Sequence, residues 1–345
     1  MWKVLLVPFS WLYGLVLNVR HFLYDSGLLK SQKAVVPALV IGNLCAGGSG
    51  KTPHIILFAH WISEFHAIAL LSRGYGRKSN GFQWVHIDST PLQAGDEPAL
   101  MKKHLPHLPV AVCNNRLQGI EQIVKQFPET DFVLLDDAYQ HRQLVSDIAV
   151  LLIPYADLVG KRYLLPAGMQ RDLWKRYKQA DILIVTRCLE LDKSLIETYI
   201  QQILPGYSSD AVFLSQVYNK QVCAFDSSQP MELHAMNFPT CVLVTGIAGA
   251  DRLREILENK GIKVQHFEFA DHYFFSEEDV QKIIVASAQK HPIFTTGKDR
   301  VKIEALLESS LKANWYELLL ELRFDRKEDL KKLVLEHVTK HKRSR

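Results

Sequence analysis

The stretch "ALVIGNLCAGGSGKTPH", residues 38–54, closes on Gly47-Gly48-Ser49-Gly50-Lys51-Thr52. Residues of these types at this spacing suit one task, the holding of a polyphosphate. Glycines let backbone N–H groups turn inward around phosphate oxygens, and a helix starting there adds the positive end of its dipole. Lys51 would reach the β- and γ-phosphates, and the Thr52 hydroxyl would help to hold Mg²⁺. The apolar run before the glycines reads as a strand and the segment after Thr52 as a helix. That context separates a phosphate loop from a glycine turn that merely caps a helix. The expected nucleotide-binding set is Cys45, Ala46, Gly47, Gly48, Ser49, Gly50, Lys51 and Thr52. Cys45 stands where the G-x-x-x-x-G-K-[ST] pattern wants its first glycine, so Gly42, Gly47 and Gly48 must share the tight turn. Pro53 has no N–H to offer an α-phosphate, which predicts a nucleotide gripped mainly by its β- and γ-phosphates.

A phosphate loop wants an acidic partner at the end of a neighbouring buried strand. "DFVLLDDAYQH" supplies Asp136 and Asp137 after the apolar run Phe132–Leu135. Carboxylates at the C-terminal edge of a sheet sit where open α/β folds bind ligands, and one of them can coordinate Mg²⁺ while the other orients it. Three more stretches are dense in polar groups. "LSRGYGRK" sets Arg73, Arg77 and Lys78 among glycines, which suits an anionic substrate as well as a solvated loop. "AGDEPAL" places Asp96 and Glu97 in a glycine-proline turn. "FADHYFF" sets Asp271 and His272 inside an aromatic run, where a histidine is structural or catalytic.

The elements that must position these groups read as short apolar runs alternating with segments of helical length. Strands are expected at Ala38–Ile41, Ala67–Leu71, Phe132–Leu135, Ile148–Ile153, Ile182–Val185, Ala211–Val217, Val242–Val244 and Ile293–Phe294. Helices are expected at Thr52–Phe65, Arg116–Phe127, Leu195–Ile203 and Arg252–Lys260. Continuous apolar strands separated by helices indicate an α/β fold whose mostly parallel sheet is buried on both faces. "LPGYSSD" interrupts the pattern around Pro205–Ser209. The expected division is a leader over 1–35, a phosphate-loop domain over 36–207 and a smaller α/β domain with a basic tail over 208–345.

With 345 residues, 48% hydrophobic and 23% charged, the chain is long enough for one large or two modest cores, and it is not a disordered protein. A net charge of +4 is too small to imply a nucleic-acid partner. Cys45, Cys113, Cys188, Cys223 and Cys241 are scattered and odd in number, so neither a disulfide framework nor a zinc site is expected. The leader "MWKVLLVPFSWLYGLVL" is apolar apart from Lys3 and a few small interruptions. About 14 helical residues rise only ~21 Å, short of the ~30 Å of a hydrocarbon core. Ser10, Gly14 and Asn18 form a narrow small and polar stripe, and Lys3, Arg20, Lys30 and Lys33 outnumber the single acid Asp25. Such a helix either packs into the protein's own core or lies in a membrane interface with its cations near the headgroups. The second reading is the one expected here.

Taken in order, "VIGNLCAGGSGKTP", "LSRGYGRK", "GDEP", "DDAYQHR", "LPAG" followed by Arg171, "VTGIA", "DHYFF" and "TTGKDRVK" run through nearly the whole chain. In this the sequence resembles the tetraacyldisaccharide 4′-kinases of Gram-negative bacteria. The resemblance implies transfer of the ATP γ-phosphate to the 4′-hydroxyl of a tetraacylated glucosamine disaccharide 1-phosphate, the lipid substrate and principal partner. It also implies a peripheral, monomeric enzyme at the cytoplasmic face of the inner membrane, with its active site between a P-loop domain and a smaller α/β domain. ATP and Mg²⁺ are the implied cofactors. Asp96 becomes the general base supported by His272, and Lys51 and Thr52 hold nucleotide and metal. Asp136, Asp137 and Asp172 become metal-side acids, and Arg73, Tyr75, Arg77, Glu97, His141 and Arg171 contact the substrate. At Asp172 the family usually carries glutamate, and at Cys45 a threonine or serine.

Two other classes fit a glycine loop beside a greasy helix. A membrane-associated regulatory GTPase would read guanine through N-K-x-D, but "TTGKD" sets Lys298 directly against Asp299 with no spacer. A non-catalytic membrane module using ATP for structure would leave Asp96 and His272 superfluous.

Overall fold

The computed structural model describes residues 5–343 apart from 192, 228, 248 and 289. Lys3 of the leader and Ala248 of "VTGIA" therefore lie outside the described residues. The large sheet is built from β1 (Ala38–Asn43), β2 (Ile68–Ser72), β3 (Val110–Val112), β4 (Phe132–Asp136), β5 (Ile148–Pro154), β6 (Ile182–Thr186) and β7 (Val212–Tyr218). A smaller sheet holds β8 (Gln221–Ala224), β9 (Thr240–Thr245), β10 (Lys263–Glu268), β11 (Ile293–Thr295) and β12 (Trp315–Leu318), and β13 (Glu321–Phe324) returns to the large one.

The large sheet runs in the order β13-β7-β6-β5-β1-β4-β2-β3, closed at the β3 edge by the two-residue strand Gln83–Trp84. From β7 to β3 every neighbouring pair is parallel, while β13 and Gln83–Trp84 pair antiparallel at the two edges. All six residues of β1 are buried, as expected of a strand covered by helices on both faces. Helix α1 (Val7–Asp25) precedes the sheet, and α2 (Lys51–Ser63) follows β1 directly. On one face α2 supplies Ile55, Phe58 and Ile62, and the C-terminal helix Lys327–Arg343 supplies Leu330, Val334 and Val338. On the other face lie Ile120 and Ile123 of the Arg116–Gln126 helix and Ile200 of the Lys193–Ile203 helix. Gly42 makes no turn here. It is buried in β1, where a Cβ would come within 2.5 Å of the Tyr139 Cβ, so its lack of a side chain admits that ring.

The division expected at residue 207/208 shifts. β7 pairs parallel with β6, and β13 and the C-terminal helix return to the first sheet. The second sheet therefore lies within residues 221–318. Burial gives the reason, because Val212, Phe213 and Leu214 are apolar on both faces and complete the large sheet. The basic tail is a continuation of the helix whose Leu330, Val334 and Val338 stripe packs on that sheet. The two units meet through helix α3 (Asp96–His104) against the Gly297–Ile303 helix. Ion pairs of Arg300 and His104 with Glu317, and of Lys103 with Glu304, border this contact.

Of the α1 stripe, Ser10 and Gly14 face inward and Asn18 is exposed. Ser10, Gly14, Leu17 and His21 are buried. Ser10 Oγ donates to the Leu164 carbonyl at 2.8 Å and accepts from the Ala167 amide at 3.0 Å. Asn18 accepts from Lys175 Nζ at 3.0 Å. The apolar side points outward, with Phe9, Trp11, Leu12, Leu15, Val16, Val19 and Phe22 all at least half exposed. No helix among the described residues is long and apolar enough to cross a membrane.

Candidate active site

The phosphate loop leaves β1 at Asn43 and enters α2 at Lys51. Gly47 and Gly50 take φ of 101° and 83°, values a side chain disfavours. Asn43 braces the loop by donating to Ser49 Oγ at 2.8 Å. His54 Nδ1 donates to the Gly50 carbonyl at 2.7 Å, and its Nε2 accepts from Ser215 at 3.1 Å. Burial lowers the His54 pKa to about 4, so the ring stays neutral in that role. The strand-like stretch after "LPAG" lines the first limb. The Ala46 amide donates to Met169, the Arg171 amide donates to Leu44, and Cys45 bridges Gln170. Burial pushes the Cys45 thiol up to about 12, so it packs without acting as a nucleophile.

Lys51 points at the strand-end acids, its Nζ 3.7 Å from Asp137 Oδ1. Arg171 clasps the same carboxylate with two nitrogens, one of them 3.0 Å from Oδ2. Asp137 takes a φ of 48°, a region few non-glycine residues occupy. Burial would raise its pKa, but Arg171 and Lys51 outweigh burial and hold it low. Asp136 behaves oppositely. It is fully buried, Ser72 donates to Oδ2 at 3.0 Å, and Oδ1 has no hydrogen-bond partner. Burial first, then the charges of Glu97 and Asp137, push its carboxyl upward against the pull of Lys51. Among the described residues no group of three His, Cys, Asp or Glu side chains converges as a self-sufficient metal site. An ion shared with phosphate oxygens needs only one or two protein ligands.

Asp96 opens α3, so "AGDEPAL" is the first turn of a helix and not a free loop; the acids at its N-terminus suit the helix dipole. His272 reaches Asp96 from the other unit, donating through Nδ1 to Oδ2 at 2.8 Å. Its own backbone sits at φ 60°, and the Tyr75 ring packs edge-on against it at 5.6 Å. Lys298 pairs with Glu97, and Lys302 lies 3.9 Å from Asp96 and 3.2 Å from Asp299. Burial would raise the Asp96 carboxyl, but the His272 hydrogen bond and the Lys298 and Lys302 charges hold it below its ordinary 3.8. The same bond raises His272 above 6.5. The lysines of "TTGKDRVK" are thus part of the site, a role their residue types alone did not disclose.

The pair also fastens the two units. His272 contributes fully below pH 6.5 and loses that contribution as pH rises through its raised pKa. Asp96 contributes fully above pH 3.8 and loses it as pH falls through its lowered pKa. His272→Ala should therefore lower the melting temperature most between about pH 4 and pH 6.5, and progressively less in alkaline buffer. Calorimetry of the two proteins near pH 5.5 and near pH 9 would check this; an equal loss at both would contradict it.

The structure brings Lys51, Asp136, Asp137 and Arg171 together, and Asp96, Glu97, Tyr75 and His272 together. The two groups act on each other, since Glu97 and Lys51 both bear on Asp136, and Asp136 bears on Lys298. His141 stands in the turn that follows the acids, its amide donating to the Ala138 carbonyl at 2.9 Å. Its Nε2 is buried without a partner, and burial with the charges of Arg116, Arg20 and Arg73 lowers its pKa to about 4. Arg77 is spent within its own loop, donating to the Gly81 carbonyl at 2.7 Å. Asp172 does not join Asp136 and Asp137. It is fully buried against His21 at 2.6 Å and Arg176 at 3.7 Å, so it anchors α1. The physical reason is its adjacency to Arg171: neighbours on an extended chain point opposite ways, and Arg171 takes the acid side.

A parallel sheet with a lysine-bearing glycine loop after one strand and paired acids after its neighbour defines a P-loop nucleotide-binding protein. The family model for tetraacyldisaccharide-1-P 4′-kinase matches residues 2–339. A tetraacyldisaccharide 4′-kinase of Phocaeicola vulgatus is 33% identical over 98% of this chain and 96% of the relative. One of Aquifex aeolicus is 32% identical over 95% of this chain and 97% of the relative. The crystal structure of LpxK from Aquifex aeolicus in complex with ATP superposes with a TM-score of 0.77 at 30% identity, covering 98% of this chain and all of that one. The chain belongs to the tetraacyldisaccharide 4′-kinase family.

Proposed function

We propose that this kinase transfers the γ-phosphate of ATP to the 4′-hydroxyl of a tetraacylated glucosamine disaccharide 1-phosphate. The observation that carries the reading is that the phosphate-loop group and the Asp96 turn, which His272 and Lys298 of the second unit hold, bear on one carboxylate, Asp136, through Lys51 and Glu97. Asp96 accepts the hydroxyl proton as the sugar oxygen bonds to the γ-phosphorus and the bond to the departing ADP oxygen breaks. The His272 N–H holds the Asp96 carboxylate in place, and the two nearby lysines keep it ionised. Lys51 exchanges its Asp137 contact for the β- and γ-phosphate oxygens, leaving Asp137 to Arg171. The orphaned Asp136 oxygen and the Thr52 hydroxyl fit Mg²⁺, which when bound neutralises phosphate charge. Glu97, Tyr75 and Arg73 border the acceptor side.

Incubating the protein with γ-labelled ATP and the lipid disaccharide 1-phosphate tests this. Label should appear on the lipid; label found only in inorganic phosphate would contradict it.

The membrane surface is part of the same proposal. A substrate with four acyl chains stays in the bilayer, so the enzyme must come to it, here as a monomer at the cytoplasmic face of the inner membrane. The outward apolar side of α1 suits burial at the headgroup boundary. Replacing Phe9, Trp11 and Leu15 together by Ser should cut binding to anionic vesicles about a hundredfold, from the apolar burial lost. ATP affinity should not change, because the inward stripe of Ser10, Gly14 and His21 is kept. Vesicle flotation checks it; undiminished binding would remove α1 from the membrane contact.

A further inference from the structure

One cation beside the phosphate loop has no task in the account above. Arg187 follows β6 directly, at a φ of 59°. Long side chains seldom take that region, and residues held there cluster at ligand sites. Its guanidinium lies against the phosphate loop, where a Cβ on Gly48 would fall 2.7 Å from Nη2. Arg187 is exposed, and among the described residues its guanidinium has no hydrogen bond or ion pair; the charge it feels from Arg252 is of like sign.

Sheet order says which end of a nucleotide would meet it. β1, β4, β5 and β6 are parallel, so their C-terminal ends share one edge. The acids of β4 and the Arg73 loop of β2 lie to one side of β1, and Asp96 with its His272 partner belongs to that side. The γ-phosphate must point there to meet the acceptor hydroxyl. A triphosphate is an extended chain, so its α-phosphate and nucleoside run the other way, across β5 toward β6. That is where Arg187 stands. Two residues further on, Leu189 is 76% exposed and offers no carboxylate to read a purine's N–H groups.

We infer that Arg187 forms one wall of the nucleoside subsite, its planar guanidinium stacked on the purine ring of the bound nucleotide. Guanidinium planes stack on aromatic faces in a way that an ammonium does not reproduce. The inference rests on the phosphate loop holding a nucleoside triphosphate.

Isothermal titration of the full-length protein with ATP, with GTP and with inorganic triphosphate tests it, each in the presence of Mg²⁺. For Arg187→Ala the ATP and GTP dissociation constants should rise together by about tenfold, the size of a desolvated cation–π contact, while that of inorganic triphosphate stays put. Arg187→Lys should recover little of the loss, because it restores charge without the plane. An equal weakening of inorganic triphosphate would make Arg187 a phosphate ligand and overturn the inference, as would full recovery by lysine or an unaltered ATP affinity in Arg187→Ala. If the wild-type protein bound no ATP, the kinase reading itself would fall, and this inference with it.

Discussion

Asp96→Asn is expected to lower kcat about a hundredfold or more while leaving ATP affinity within about twofold, the range for loss of a positioned general base. Asparagine is the informative replacement. It keeps the size of a side chain that is 6% exposed and still accepts the His272 hydrogen bond, but it cannot take a proton. Alanine would leave the His272 N–H without its acceptor, and a hydrogen-bonding group stripped of its partner carries a stability cost of its own. An activity loss in Asp96→Ala would then mix chemistry with altered docking. His272→Ala should cost roughly tenfold, because it removes the group that orients the base and not the base itself. Steady-state kinetics on the lipid substrate, beside ATP titrations, separates the terms. If His272→Ala lost more than Asp96→Asn, the two roles would be reversed.

Lys51→Ala should lower kcat by a comparable factor, about a hundredfold or more, through lost stabilisation of charge at the transferring phosphoryl group. Unlike Asp96→Asn it should also weaken ATP, since Lys51 meets the phosphates in the ground state as well. The fold should survive. Lys51 is partly exposed at the start of α2, and its partner Asp137 keeps Arg171. Normal turnover in Lys51→Ala would mean that the loop serves only as a structural turn.

The eight strands expected from apolar runs are all present, each within a residue or two of its predicted ends, because a strand buried on both faces writes itself as a continuous apolar word. The strands that escaped lack that word. Val110–Val112 is three residues long, and Lys263–Glu268 is an edge strand whose apolar residues are only Val264 and Phe267. The reach of β7 and β13 into the first sheet was hidden because pairing partners are a property of topology and not of local composition. At the site, the loop and the paired acids were readable as residue types in a strand or helix context, whereas Asp96 was read in a turn and received its role only through the family resemblance. The pairing of Asp96 with His272 was legible only through the family resemblance, as 176 residues separate them. Asp172 shows the opposite limit. Its motif placed it with the acids, but the side chain alternates away from Arg171 and is held by His21, a contact no local pattern announces. Arg187 carried no motif signal at all; its position over Gly48 emerges from strand order.

The account depends on the Asp96 turn and the phosphate loop opening onto one reacting centre. A crystal structure of the protein with an unhydrolysable ATP analogue measures this directly. The account predicts an Asp96 carboxylate oxygen within about 6 Å of the γ-phosphorus, the span of one intervening hydroxyl in attack geometry. Asp96 and the γ-phosphate in separate pockets, with no path for one hydroxyl to touch both, would contradict it.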